Sequence, residues 1–175
     1  MMQTTKTNIV LCGFMSSGKT TIARPLAKEL GYSFVDTDQL LVSAFGKTIP
    51  QMFAEGGEEY FRDREHEIAR TAAAMEHTVI STGGGMMTFE RNARVLAETG
   101  IVIYIHQDFS TCYRRLSGQK DRPLVKNNSR EDLYRMYTAR TSCYKKYASF
   151  TLENRGGVRE AVGEIMQFLS GGTDR

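Results

Sequence analysis

The run Gly13-Phe14-Met15-Ser16-Ser17-Gly18-Lys19-Thr20 matches G-x-x-x-x-G-K-[ST], a spacing suited to holding phosphate. Gly13 and Gly18 admit backbone angles and a close approach that a Cβ would block. Successive N–H groups can then turn inward toward an anion, and the following helix presents its positive end to the same point. Lys19 is expected to reach the β- and γ-phosphates of a nucleotide, and the Thr20 hydroxyl to ligate Mg2+. The run stands straight after one apolar strand pattern, Asn8–Cys12, and straight before a helical one, Lys19–Leu30.

A phosphate cradle leaves the reaction open, so a second substrate must be sought elsewhere. No N-K-x-D guanine-reading segment occurs. Asp36-Thr37-Asp38 closes a second strand pattern, Ser33–Asp36, and ligands of open α/β sheets gather outside the carboxyl ends of strands. Asp36 suits a metal-bound water, and Asp38 suits a substrate hydroxyl. The other reading of Asp38 is a cap on a helix beginning at Gln39. Thr82-Gly83-Gly84-Gly85 follows a third strand pattern, Thr78–Ser81. Three glycines are costly in chain entropy and point to a ligand lying against bare backbone, a plain loop being the alternative. Arg62, Arg122 and Arg140 supply guanidinium forks for carboxylate or phosphate, although each alone reads as a surface charge. Asp108 reads as the amino-terminal charge of a helix, not as a metal-binding aspartate.

These residues need a frame. Two further strands are expected over Ile101–His106 and Ser149–Leu152, with helices over Gln39–Phe45, Glu58–Met75, Phe89–Glu98, Ser110–Leu116, Arg130–Tyr147 and Val158–Leu169. Gly31 and Gly100 sit where helices end in a left-handed cap. Pro25 falls inside the first helix and predicts a kink one turn beyond the cradle. Strands alternating with helices imply a mostly parallel sheet covered on both faces. The polar stretch Ser117–Ser129, SGQKDRPLVKNNS, breaks the alternation and reads as a loop, either functional or a plain surface connection.

The chain has 175 residues, 41% of them apolar and 25% charged, which fits one globular domain and excludes a disordered chain. Its 23 basic and 20 acidic residues leave +3, too little to announce a nucleic-acid surface. No stretch approaches the roughly 18–20 apolar residues of a membrane helix, and the amino terminus lacks a signal-peptide pattern. Cys12, Cys112 and Cys143 have no metal-ligand spacing, and a cytoplasmic location with reduced thiols is expected.

Taken together, GFMSSGKT (Gly13–Thr20), FVDTD (Phe34–Asp38), GGEEYFRDRE (Gly56–Glu65), STGGG (Ser81–Gly85), DRPL (Asp121–Leu124) and ARTSCY (Ala139–Tyr144) resemble shikimate kinase in order and spacing over nearly the whole chain. The resemblance implies a P-loop three-layer α/β/α fold with five parallel strands, like the nucleoside monophosphate kinases. It implies one domain over residues 1–175, with a lid at about 117–129 and a shikimate-binding helical region at about 38–75. The implied reaction is phosphoryl transfer from ATP to the 3-hydroxyl of shikimate, on the route to chorismate and the aromatic amino acids, with Mg2+. By position, Gly13, Ser16, Ser17, Gly18, Lys19, Thr20, Thr21, Arg115, Arg122 and Arg155 would bind ATP. Arg115 would stack on adenine, and Arg122 would swing from the lid onto the phosphates. Arg62 and Arg140 would clamp the shikimate carboxylate and Asp38 would hold ring hydroxyls, with Gly83, Gly84 and Gly85 beside the substrate. Lys19, Asp38 and Arg122 would be catalytic. Thr20 and, through water, Asp36 would hold the metal, and Glu65 would orient Arg62 from i+3. Ser16 stands where the family commonly has glycine. A monomer acting on two small molecules, with neither nucleic acid nor membrane as partner, is expected. The alternatives are a P-loop kinase of another hydroxy acid such as gluconate, and a module that holds ATP without catalysis.

Overall fold

A computed structural model describes residues 5–119 and 123–171. Five strands form one parallel sheet: β1 (Asn8–Cys12), β2 (Ser33–Asp36), β3 (Thr78–Ser81), β4 (Gly100–His106) and β5 (Phe150–Glu153), ordered β2-β3-β1-β4-β5. Alternation along β1 explains both layers of helices, because successive side chains leave a strand on opposite faces. Ile9 and Leu11 pack with Ile22 and Leu26 of α1 (Lys19–Leu30) and Ile165 of α8 (Val158–Leu169). Val10 and Cys12 face the other way, toward α3 (Ile49–Ala73), α4 (Glu90–Thr99), α5 (Phe109–Ser117) and α7 (Arg130–Tyr147). The central strand is therefore apolar on both faces from Ile9 to Cys12, as a covered parallel sheet demands. Among the described residues no helix is long and apolar enough to cross a membrane.

Several local expectations change. The second helix, α2 (Thr37–Phe45), starts two residues early, because Asp36 caps it: Asp36 Oδ1 accepts from the Asp38 N–H at 3.0 Å and the Gln39 N–H at 3.2 Å. The cap reading of Asp38 thus passes to Asp36. The third helix begins at Ile49, nine residues earlier than Glu58, behind a Thr48–Gln51 capping box. Gly57 interrupts it with φ 71° and ψ −165°, values open to glycine and costly for other residues. Gly31 does end α1 in the left-handed region, but Gly100 is extended and opens β4. There a Cβ would meet Val10 Cγ2 at 2.6 Å, so close packing, not a helix cap, requires the glycine. Within the polar stretch a short helix, α6 (Pro123–Asn127), forms. Asp108 is the N-cap of α5, accepting from the Thr111 N–H at 2.9 Å, as expected of a helix-terminal charge.

Helix α1 continues through Pro25 to Leu30. Proline there removes one donor of the helical ladder, at a cost of about 3 kcal/mol, which its restriction of the unfolded chain offsets by up to about 1 kcal/mol. Pro25→Ala is therefore expected to stabilise the protein by about 2 kcal/mol and raise Tm by roughly 4–8 °C. Thermal unfolding followed by circular dichroism checks this, and an unchanged or lower Tm would contradict it.

Candidate active site

The turn after β1 is made for an anion. Gly18 takes φ 102° at the head of α1, no side chain caps that helix, and its first turn carries no acidic residue. The first N–H groups of a helix have no partner within it, so here they remain available to a ligand. Ser17 Oγ is buried and meets no partner among the described residues. Lys19 Nζ donates to the carbonyls of Gly13 (2.8 Å) and Phe14 (2.9 Å). Burial draws its pKa down from 10.5 to about 8, against the pull of Cys12, Asp38, Cys112 and Asp36. Burial likewise pushes the Cys12 thiol up to about 12, leaving it a neutral core group.

The rim of this turn is tied to distant parts of the chain. Arg115 Nη1 donates to the Ser16 carbonyl at 2.9 Å, and Ser16 itself holds φ 60°. A non-glycine residue pays roughly 1–2 kcal/mol for that conformation. Asn154 Nδ2 donates to the Ser17 carbonyl at 2.8 Å, and the Asn154 N–H to the His106 carbonyl. Asn154 thus braces the cradle from the end of β5, a role the sequence reading missed. Arg155 beside it is largely exposed and pairs with Glu153 at 3.6 Å. Arg122 lies outside the described residues.

One side chain links the cradle to the neighbouring strand. Thr20 Oγ1 donates to Asp36 Oδ2 at 3.1 Å and lies 3.2 Å from Ser81 Oγ. These are hard oxygen donors, and no cluster of three His, Cys, Asp or Glu side chains occurs among the described residues. A sparse oxygen set of this kind fits Mg2+, which keeps waters and phosphate oxygens in its shell and seldom takes an all-protein cage.

Beyond β3 the chain opens a cavity of about 720 Å³. Its polar lining includes Asp38, Arg62, Glu65 and Arg140 with the glycine triplet, and Met15, Ile49, Phe53, Phe61 and Leu124 form an apolar wall. The two arginines converge on the glycines. A Cβ on Gly84 would come within 3.3 Å of Arg140 Nη1, and one on Gly85 within 3.1 Å of Arg62 Nη1. On Gly83 it would strike Asp38 Oδ1 at 2.5 Å. The missing side chains are the room in which these charged groups gather.

Arg62 is oriented from three sides. Its Nη1 donates to Glu65 Oε2 at 3.0 Å, its Nε lies 3.5 Å from Glu58 Oε1, and the guanidinium rests 4.5 Å above the Phe89 ring. Glu65 is only 4% exposed, and burial raises its pKa although Arg62 pulls the other way. Helix α7 brings Arg140, and its Tyr137 hydroxyl docks the helix on β4 by donating to the Gln107 carbonyl at 2.8 Å.

A glycine-rich turn matching the phosphate-binding pattern, two oxygen donors beside it and a cationic pocket past the carboxyl ends of the same strands are the arrangement of a P-loop kinase. The comparisons give the family. The shikimate kinase family profile matches residues 15–170. A shikimate kinase of Geobacter sulfurreducens is 38% identical over 164 residues, 93% of this chain and 90% of its own. Shikimate kinase from Acinetobacter baumannii in complex with shikimate superposes with TM-score 0.88 at 33% identity, covering 99% of this chain and 97% of that one. The Aquifex aeolicus shikimate kinase gives 0.83 at 34%, covering 94% and 96%. The chain belongs to the shikimate kinase family.

The lowered pKa of Lys19 has a sign that can be checked. Between about 8 and 10.5 the unfolded chain binds the extra proton, so this group's contribution to stability grows as pH rises. A phosphate anion favours the charged amine, so nucleotide affinity is expected to fall as pH rises through about 8. Calorimetry near that pH, in buffers of different ionisation enthalpy, should register proton uptake on binding. Lys19→Arg, whose guanidinium does not titrate, should register none. Uptake that persists in that variant would assign the proton elsewhere.

Proposed function

We propose that the protein transfers the γ-phosphoryl group of ATP to the 3-hydroxyl of shikimate, giving shikimate 3-phosphate and ADP for aromatic amino acid biosynthesis. The observation that carries this reading is the convergence of Arg62, Arg140 and Asp38 on the glycine turn, at the sheet edge that also holds the phosphate cradle. Shikimate is a triol acid. Two guanidinium groups match its carboxylate, and a carboxylate acceptor matches its hydroxyls.

In this reading the N–H groups of the cradle and Lys19 hold the β- and γ-phosphates. Ser17, Thr20 and Thr21 complete the nucleotide contacts, and Arg115 and Arg155 flank the adenine. Thr20 and Asp36 would hold Mg2+, Asp36 through a water. When bound, the ion spreads the negative charge of the phosphoryl oxygens. Arg62, braced by Glu65, and Arg140 fix the acceptor carboxylate, so the reacting hydroxyl sits in line with the γ-phosphate. Asp38 orients that hydroxyl and takes its proton as the new P–O bond forms and the bond to ADP breaks. The transition state is loose, so positioning carries most of the rate.

Residues 117–129 act as a lid that excludes water, a competing phosphoryl acceptor, and bring Arg122 to the developing charge. The helical region 38–75 forms the acceptor side of the single domain. A cytoplasmic, monomeric enzyme with unpaired cysteines completes the proposal.

A coupled assay offering shikimate, gluconate and nucleoside monophosphates tests the reading. Turnover of shikimate alone is expected, and turnover of another acceptor without shikimate would overturn it. Lys19→Ala should abolish transfer, whereas Asp38→Asn should lower kcat about 100-fold or more with a small change in KM. Arg140→Ala should weaken shikimate binding by about 2–5 kcal/mol while the KM for ATP holds. Normal shikimate affinity in that variant would remove the clamp.

A further inference from the structure

The glycine triplet presents a backbone problem that its own turn does not solve. The Gly83 carbonyl accepts from the Met86 N–H at 3.1 Å, and the Gly85 carbonyl accepts from the Thr88 N–H and hydroxyl at 3.1 and 2.6 Å. The Gly83 N–H donates to Thr37 Oγ1 at 2.9 Å. The Gly84 carbonyl is reached from elsewhere: the Tyr144 hydroxyl on α7, sixty residues away, donates to it at 2.5 Å. Tyr144 is 1% exposed and its ring lies 5.3 Å from that of Tyr104, so the hydroxyl has little freedom. Arg140 stands one turn earlier on the same helix.

A peptide unit is rigid and planar, with its C=O and N–H pointing in opposite directions. Holding the Gly84 carbonyl toward Tyr144 therefore turns the Gly85 N–H the other way. The three glycines line the acceptor cavity, and Tyr144 does not. With all three carbonyls committed to protein donors, the turn can offer a ligand only N–H groups. Flanking glycines would otherwise let this peptide rotate cheaply and point a carbonyl oxygen at an incoming anion.

We propose that Tyr144 is a positioning residue for the acceptor: its hydroxyl locks the Gly84–Gly85 peptide with N–H toward the cavity and carbonyl away. The inference rests on the acceptor-site reading above. Burial pushes the phenol's pKa up, so the group stays a donor across neutral pH. The interaction belongs to substrate binding, because the anion that the turn and Arg140 receive is the acceptor's.

Tyr144→Phe keeps the ring against Tyr104 and deletes the hydroxyl. It is expected to raise the KM for shikimate roughly 5- to 100-fold, with the KM for ATP unchanged and kcat within about twofold. Tyr104→Phe serves as the control, since it removes another hydroxyl of the same stack, which lies 3.5 Å from Thr141 Oγ1. That variant should lose some Tm and leave both KM values alone. An unchanged shikimate KM in Tyr144→Phe, an equal rise in both KM values, or the same shikimate effect in Tyr104→Phe would overturn the proposal. If Tyr144→Phe does not fold, Tyr144→Met makes the same deletion with an adaptable apolar side chain and is read the same way. Arg140→Ala is measured alongside. A raised shikimate KM there, with none in Tyr144→Phe, sinks the tyrosine proposal alone, whereas no change in Arg140→Ala sinks the clamp reading and this proposal with it.

Discussion

An ammonium group buried beside an uncapped helix end is unfavourable unless something negative shares the space. Lys19 illustrates the tension: it is 8% exposed, satisfied by two carbonyls of its own loop, and its proton is held less tightly than in water. The strand before it and the helix after it are apolar toward the core, so the turn between them cannot relax without exposing Leu11 or Ile22. The cradle is therefore a charge imbalance fixed in place by hydrophobic packing. A polyphosphate resolves that imbalance and a neutral ligand does not.

Asp36 carries the same logic to the acceptor. One of its oxygens takes the hydrogen of Thr20, beside the cradle, and the other caps the helix on which Asp38 stands. The carboxylate proposed to meet the acceptor hydroxyl is thus two residues from a side chain that also contacts the nucleotide turn. The glycine triplet faces Asp38 from the next strand, and Arg62 and Arg140 close the pocket from two separate helices. The glycine-rich turn, Asp38 and the glycine triplet thus stand together past the carboxyl ends of adjacent strands.

Much of this was legible in the sequence because the signals are local. The G-x-x-x-x-G-K-T spacing, the β-branched runs and the aspartates after β2 need only their neighbours to be read. Misplaced elements were those where a neighbour misled. The turns of α3 before Glu58 were not anticipated, although Pro50 suits a helix start and only Gly57 departs from helical angles. Gly100 looked like a cap and is a packing requirement of β4 against β1. Long-range partners were not legible. Nothing near Asn154 or Tyr144 announces a bond to Ser17 or Gly84, because those contacts exist only once the sheet has ordered its strands.

The bond from Asn154 to the Ser17 carbonyl spans 137 residues. Ribosomes release a chain from its amino end, so the phosphate motif emerges long before its brace. Strand β1 must also wait for β3 and β4, its two partners in the sheet. A nascent chain therefore displays the most recognisable nucleotide signature of the protein while lacking the framework that holds it in shape. The phosphate motif is synthesised before its brace and is held in shape only after it, which ties nucleotide handling to completion of the fold.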